Sequence, residues 1–303
     1  MAIEKFVKKS EPKIEIFEAN FKSMIDDDAQ FFTLHSGSQW SEGPVFLHDR
    51  NMVIWSDIPN DRMLSWGPTS GPDIFRSPSG YSNGNFLDLQ SRLLTCEHGN
   101  RRISRTEKNG EIITIVDNFN GNRLNSPNDL VVKSDGAIWF TDPPYGILSD
   151  KEGHKSESEL EGNFVFRYDP LQDQLSLISD DFDKPNGIAF SPDEKLLYIA
   201  DSGDPKNIRV FNVSDDGKSI NNGRVFAEIS PGLPDGFRVD LEGNIFTSAS
   251  DGIQVFNPSG VLLGKILVPE RTANCVFGGS FKDTLFITAS TSLYSIKMNV
   301  TGA

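Results

Sequence analysis

One repeated pattern organises the chain, and its clearest copy lies in residues 126–145. There a polar residue, Asn128, precedes an apolar run at 130–132, an Asp-Gly turn follows at 135–136, and a second apolar run covers 138–140. Asp-Gly between two β-rich runs is a strong signal for a tight hairpin. The polar residue in front of the first run is the unusual feature, and it returns along the whole chain.

Aligning the sequence on that polar residue gives six registers, which are 39 to 58 residues apart. They are Glu42, Asn83, Asn128, Asn186, Asp235 and Asn274. A period of about 40 to 50 residues with several short strands in each unit indicates a β-propeller with four-stranded blades. The six copies predict an all-β, six-bladed propeller. Its six polar side chains would meet around the central channel, where the innermost strands begin.

Six blades of this size use nearly all of the 303 residues. We therefore predict an N-terminal extension at 1–30 and one propeller domain at 31–303. Too little chain follows Asn274 for a generous last blade, so we expect the first strand of the domain to complete that blade and close the ring. The longest spacing contains a polar insertion at 146–162, which is either a surface loop or a lid over one end of the channel.

Composition restricts the class of partner. A net charge of −14 and a pI near 4.7 argue against nucleic acid or an anionic membrane. The two cysteines fit a reducing compartment, the N-terminal residues lack the apolar stretch of a secretory signal, and no segment has the length of a membrane span. We expect a cytoplasmic protein that acts on a small molecule as a monomer or homodimer.

The residue types of the predicted ring indicate a metal site. Hard divalent cations take carboxylate and amide oxygens, and Glu42, Asn128, Asn186 and Asp235 offer both kinds. Two negative charges would face a divalent cation. Asn-Gly and Asn-Asp pairs also occur in ordinary turns, but six copies in one register, one of them Glu, favour metal binding.

Four stretches of sequence resemble the gluconolactonases, the family that also contains regucalcin (senescence marker protein) and luciferin-regenerating enzyme. They are WSEGPV at 40–45, CEHGNRR at 96–102, NSPNDL at 125–130 and FTDPPYG at 140–146. Paraoxonases and diisopropyl-fluorophosphatase are similar more distantly. The resemblance implies a six-bladed propeller with its metal on Glu42, Asn186 and Asp235, with Asn128 as a fourth ligand or a substrate contact. Calcium is the expected metal, and zinc, manganese and magnesium are alternatives.

The resemblance also implies a reaction, the hydrolysis of a gluconolactone-like aldonolactone to the aldonic acid. The metal would stabilise the charge on the lactone carbonyl, and Asp235 would act as general base on the attacking water. Side chains predicted to contact the substrate are Asn83, His98, Arg101, Arg123, Asn125 and Tyr145. Two other functions stay open, a phosphotriesterase on the same metal site and a non-catalytic, calcium-binding propeller.

Overall fold

Short apolar runs separated by Gly, Asn and Asp turns divide residues 7–303 into brief strands, and within this range no long helix interrupts them. The computed structural model describes residues 7–303. The N-terminal segment contains β1 (Lys8–Ser10), β2 (Lys13–Ile16), helix α1 (Ala19–Ser23) and β3 (Phe31–Ser36).

The next strands form the first three antiparallel blades. Blade 1 contains β4 to β7 (Ser41–Leu47, Met52–Asp57, Arg62–Gly67, Gly71–Arg76), with a 3-10 turn at Ile58–Asn60. Blade 2 contains β8 to β11 (Ser82–Leu87, Leu93–Glu97, Arg102–Thr106, Ile112–Val116), and the hairpin β12–β13 (Asn118–Phe119, Asn122–Arg123) follows. Blade 3 contains β14 to β17 (Leu130–Val132, Ile138–Asp142, Asn163–Asp169, Gln174–Phe182), with helix α2 (Tyr145–Leu148) between β15 and β16.

The remaining strands form three further blades. Blade 4 contains β18 to β21 (Pro185–Phe190, Leu196–Asp201, Asn207–Val213, Ile220–Glu228). Blade 5 contains β22 to β25 (Phe237–Val239, Ile245–Ser248, Gly252–Phe256, Leu262–Leu267), and blade 6 contains β26 to β28 (Thr272–Gly278, Thr284–Ala289, Ser292–Lys297). The first strand of every blade contacts the first strand of the next, and β26 contacts β4, which closes the ring. The predicted all-β, six-bladed propeller is confirmed.

The N-terminal segment lies across the closing seam of the ring. Strand β3 pairs with β28 and becomes the fourth strand of blade 6, β1 pairs outside β3, and β2 pairs with β25 of blade 5. Phe21 of α1 is fully buried against blade 5, where a Cβ on Gly264 would lie only 2.0 Å from its ring. Blades 5 and 6 therefore have five strands each, and both depend on residues from the beginning of the chain.

Apolar side chains fill the six interfaces between neighbouring blades. Trp139 of blade 3, for example, packs edge-on against Phe190 of blade 4 with ring centroids 5.5 Å apart, and Phe246 of blade 5 packs against Phe277 of blade 6 at 5.0 Å. Fully burying one such side chain contributes about 1.5–3 kcal/mol. These interfaces hold the blades at constant positions around the channel. None of the helices in residues 7–303 has the length and apolar composition needed to cross a membrane.

Candidate metal centre and active site

One end of the central channel opens into a cavity of about 420 Å³. Five of the six register residues line it: Glu42, Asn83, Asn128, Asn186 and Asp235. The sixth, Asn274, is buried beside them and donates from Nδ2 to Glu42 Oε2 at 3.3 Å. A larger cleft of about 790 Å³ lies between blades 1 and 2 and carries none of the six, so cavity size alone does not identify the site.

Glycines that follow the register residues bring neighbouring blades into close contact at the channel. The Gly84 amide donates to the Asn128 carbonyl at 2.8 Å, and the Gly187 amide donates to the Asp235 carbonyl at 3.1 Å. A Cβ at either glycine would lie about 2.5 Å from the same carbonyl oxygen (2.5 Å at Gly84, 2.4 Å at Gly187). Only glycine allows this approach, so blade 2 positions the register residue of blade 3, and blade 4 positions that of blade 5.

Buried hydroxyl groups make the same kind of contact from the second strand of a blade. Ser56 of blade 1 donates to the Asn83 carbonyl at 2.7 Å, and Thr141 of blade 3 donates to the Asn186 carbonyl at 2.7 Å. The register residues therefore have their backbones held from a neighbouring blade as well as by their own strands. Such support keeps the ring geometry in place before any ligand binds.

Three buried carboxylates hold the loops that enter the innermost strands. Each accepts backbone N–H bonds from the residues two and three positions before a register residue. The bonds run from Gln39 and Trp40 to Asp57, from Asn125 and Ser126 to Asp142, and from Asp183 and Lys184 to Asp201. These aspartates are anchors of the loops, because their oxygens are already occupied.

Glu42 carries the clearest sign of a missing partner. Its Oε2 accepts bonds from the Gly43 amide and from Asn274, whereas within residues 7–303 no group donates to its buried Oε1. Burial, followed by the charge of nearby Asp235, raises the pKa of Glu42 well above its ordinary value. A buried oxygen without a partner is costly, and a bound cation would satisfy it.

Asp235 belongs to blade 5, two blades away from Glu42 in the closed ring, and is also buried. Burial raises the pKa of Asp235 to about 7, while the Arg271 guanidinium and a hydrogen bond from Asn186 lower it. In the described part of the chain, no three His, Cys, Asp or Glu side chains cluster closely enough to hold a metal by themselves. A cation at the ring would consequently need the amide oxygens of the asparagines in addition to the two carboxylates.

His98 is a neutral side chain at the cavity wall. Burial lowers its pKa to about 4, so the imidazole is uncharged at neutral pH. Its Nδ1 lies 3.2 Å from the Glu152 carbonyl, which assigns the ring proton to Nδ1, and its Nε2 then accepts from the Asn83 amide at 3.2 Å. The pair orients Asn83 at the cavity. Tyr145 also lines the cavity.

The insertion at 146–162 covers part of the cavity and contributes Lys151 and Glu152 to its lining. It is tied down by residues that the sequence had suggested as substrate contacts. Arg101 donates to Leu124 and to side chains of the insertion, the Arg123 amide donates to Glu159, and Asn125 accepts from Ser158 at 2.5 Å. The structure thus places Arg101, Arg123 and Asn125 on the insertion and brings only Asn83, His98 and Tyr145 to the cavity.

Several residues of the cavity were not singled out from the sequence. Lys151, Glu152, Lys184, Ser202 and Arg271 line it. Ser202 could have been found, because it follows the end of β19 just as His98 follows the end of β9. Lys151, Lys184 and Arg271 lie in connecting segments. The alternation of side chains along a strand does not apply there, so it could not predict which way these side chains point.

The comparisons with known proteins agree with this geometry. Residues 40–291 match the family model described as the SMP-30/Gluconolactonase/LRE-like region. A gluconolactonase from Zymomonas mobilis is 35% identical over 96% of this chain and 87% of its own length. The solved structure of a gluconolactonase from Xanthomonas campestris is 38% identical over 95% of each chain, with a TM-score of 0.90.

A more distant structure has the same fold at low identity. It is the calcium-binding protein regucalcin from Agrobacterium tumefaciens, 18% identical over 89% of this chain and 94% of its own, with a TM-score of 0.74. The resemblance found in the sequence motifs is confirmed, and the chain belongs to the SMP-30/gluconolactonase/LRE-like family.

Proposed function

We propose that the protein is a metal-dependent lactonase that hydrolyses a gluconolactone-like aldonolactone to the corresponding aldonic acid. The observation that carries the proposal is the buried ring that lines the cavity, in which Glu42 presents an oxygen that has no partner among residues 7–303. The gluconolactonases among the relatives support the same reaction, because they match nearly the whole chain.

The donor set of the ring fits a hard divalent cation. Glu42 and Asp235 would hold it with their carboxylates, and Asn128 and Asn186 with their amide oxygens. We propose calcium as the native ion, supported by the all-oxygen donor set; zinc, manganese and magnesium are the alternatives. When bound, the cation supplies a Lewis acid for the lactone carbonyl.

Side chains of the cavity carry out proton transfer and substrate binding. Asp235 takes the proton of the attacking water as that water adds to the carbonyl carbon, and ring opening releases the alkoxide, which is protonated to give the hydroxy acid. A carboxylate has two oxygens, which allows one residue to serve as ligand and base. Asn83, oriented by neutral His98, and Tyr145 would bind sugar hydroxyls at the cavity wall. The insertion limits water access by covering part of the site.

A hydrolysis screen tests this function. Purified protein treated with chelator is expected to be inactive on glucono-δ-lactone, and added calcium, zinc, manganese or magnesium should restore acid release in a pH-indicator assay. A parallel assay with an organophosphate triester separates the lactonase from a phosphotriesterase. Activity that survives chelation would contradict the metal-dependent reaction, and turnover of the triester alone would contradict the lactonase assignment.

Metal affinity is expected to rise with pH. Burial raises the pKa of Asp235 to about 7 in the metal-free protein and that of Glu42 well above its usual value, so protons compete with the cation below neutrality. One competing proton weakens binding by about tenfold per pH unit below the pKa.

The raised pKa of Asp235 also makes the stability of the metal-free protein depend on pH. Folded Asp235 holds its proton up to about pH 7, whereas the unfolded carboxyl loses it near its ordinary pKa of 3.8. The metal-free protein therefore loses stability as pH rises between these values, and calcium should raise Tm more at pH 8 than at pH 5.5. Calorimetric Kd values that do not change with pH would contradict this expectation.

A further inference from the structure

Three cationic side chains line the cavity of this acidic chain. Lys151 of the insertion, Lys184 before β18 and Arg271 before β26 all line it, although the protein carries a net charge of −14. They come from three separate segments. Throughout residues 7–303 most arginines pair with a carboxylate, yet none of these three side chains has one within 4 Å.

Each cation has a contact that holds either its own side chain or the backbone at or beside it. The Lys184 amide donates to Asp201 at 2.9 Å, and Arg271 lies over the Trp40 ring with its guanidinium carbon 5.3 Å from the centroid. Lys151 precedes Glu152, whose carbonyl is bound by His98. The three cations are thus directed to one cavity by ordered elements, unlike cations spread over a surface.

The charges at the cavity do not balance once the ring is loaded. A divalent cation would be matched by Glu42 and Asp235, which leaves three cations against the single carboxyl of Glu152. Burial raises the pKa of Glu152, which weakens even that compensation. A pocket with surplus positive charge attracts an anion and favours its binding.

We infer that the substrate carries an anionic substituent, a phosphate, sulfonate or carboxylate, on the part of the sugar remote from the lactone carbonyl, and that Lys151, Lys184 and Arg271 bind it. This inference rests on the proposed lactonase function. The carboxylate released from the lactone does not account for the three cations, because it forms at the ring, where Glu42 and Asn186 are under 5% exposed. Lys151 and Arg271 are exposed, in contrast to the buried ring, so they can reach the part of the sugar that extends toward solvent.

The test compares matched substrates. Glucono-δ-lactone is assayed beside its 6-phosphate, its 6-sulfonate and an aldarolactone with a terminal carboxylate, and the three charged lactones distinguish the possible anions. We expect kcat/KM for at least one of them to exceed that for the neutral lactone by about tenfold or more. The preference should fall as ionic strength rises, since Lys151 and Arg271 are exposed.

Substitutions of the three cations test whether these residues cause the preference for charged lactones. The triple variant Lys151→Met, Lys184→Met, Arg271→Met should bring the ratio of kcat/KM values for charged and neutral lactones close to one. Lys195→Met is the control, because Lys195 is an exposed lysine of blade 4, the blade of Lys184, and lies outside the cavity. This variant should keep the wild-type ratio. Calorimetric titration with 6-phosphogluconate gives a readout independent of turnover, and the triple variant should bind it at least about tenfold more weakly.

Each outcome has a distinct meaning. Equal kcat/KM for neutral and charged lactones, or an unchanged ratio in the triple variant, overturns the anionic substrate and leaves the lactonase function in place. Failure to hydrolyse any lactone with metal present overturns the proposed function itself.

Discussion

Asp235→Asn is expected to lower kcat for lactone hydrolysis by about 10²–10⁴, the usual effect of losing a general base. The substitution keeps an oxygen ligand of the same shape but removes the group that accepts the proton from water. Metal affinity should fall as well, because one of the two ring charges is lost, yet saturating metal should not restore turnover. Steady-state rates measured across a metal titration separate the two effects.

Glu42→Gln provides the contrast, since it removes the other ring charge but not the base. Its activity should return in large part when excess metal is added. Asp240→Asn is the control matched to Asp235→Asn. Asp240 is a fully buried carboxyl of blade 5, the blade that carries Asp235, and its oxygens accept hydrogen bonds from Asn244 and from the Glu242 amide. It should lower stability by about 1–3 kcal/mol and leave kcat unchanged. Normal turnover by Asp235→Asn at saturating metal would refute the assigned base.

Gly187→Ala is expected to damage stability and metal binding together. The added Cβ would lie 2.4 Å from the Asp235 carbonyl oxygen and 2.9 Å from the Phe237 ring, so the backbone that carries Asp235 must move. Overpacking of this kind costs about 1–3 kcal/mol, and a displacement near 1 Å at a catalytic group lowers the rate by about a hundredfold. Denaturant unfolding and calorimetric metal titration measure the two losses.

The control for this substitution is Gly110→Ala. Gly110 has a φ of +87° and no atom within 4 Å of the position its Cβ would take, so alanine there meets backbone strain but no neighbour. We expect a stability loss of about 1–2 kcal/mol with wild-type metal affinity. If Gly187→Ala binds metal as tightly as Gly110→Ala, the contact between blades does not position the ring.

The fold and the ring could be predicted because both follow from local pattern. The turn residues and apolar runs around Asn128 recur in every blade, and a strand period places residues of one register at the same height in the channel. Glu42, Asn186 and Asp235 could therefore be brought together from positions far apart in the sequence. In the structure all three line one cavity.

The periphery of the site could not be predicted in this way, because loop direction is set by tertiary contacts. Arg101 of the CEHGNRR motif and Asn125, three residues before Asn128, were expected to face the substrate. The path of the insertion instead brings Glu159 and Ser158 to them. The same path delivers Lys151 to the cavity, a position that composition alone had marked only as polar and flexible.

The strands that close the ring determine when each blade can fold during translation. Blades 1 to 4 each consist of strands consecutive in sequence, so each can fold soon after it leaves the ribosome. Strand β3, by contrast, emerges early and must wait for β28, and the contact between Ser36 and Ser292 joins residues 256 positions apart. At about 5–20 residues per second, that wait lasts roughly 10 to 50 seconds. For most of its translation the chain is an open arc with an unpaired edge at its beginning, exposed to chaperones, proteases and other nascent chains.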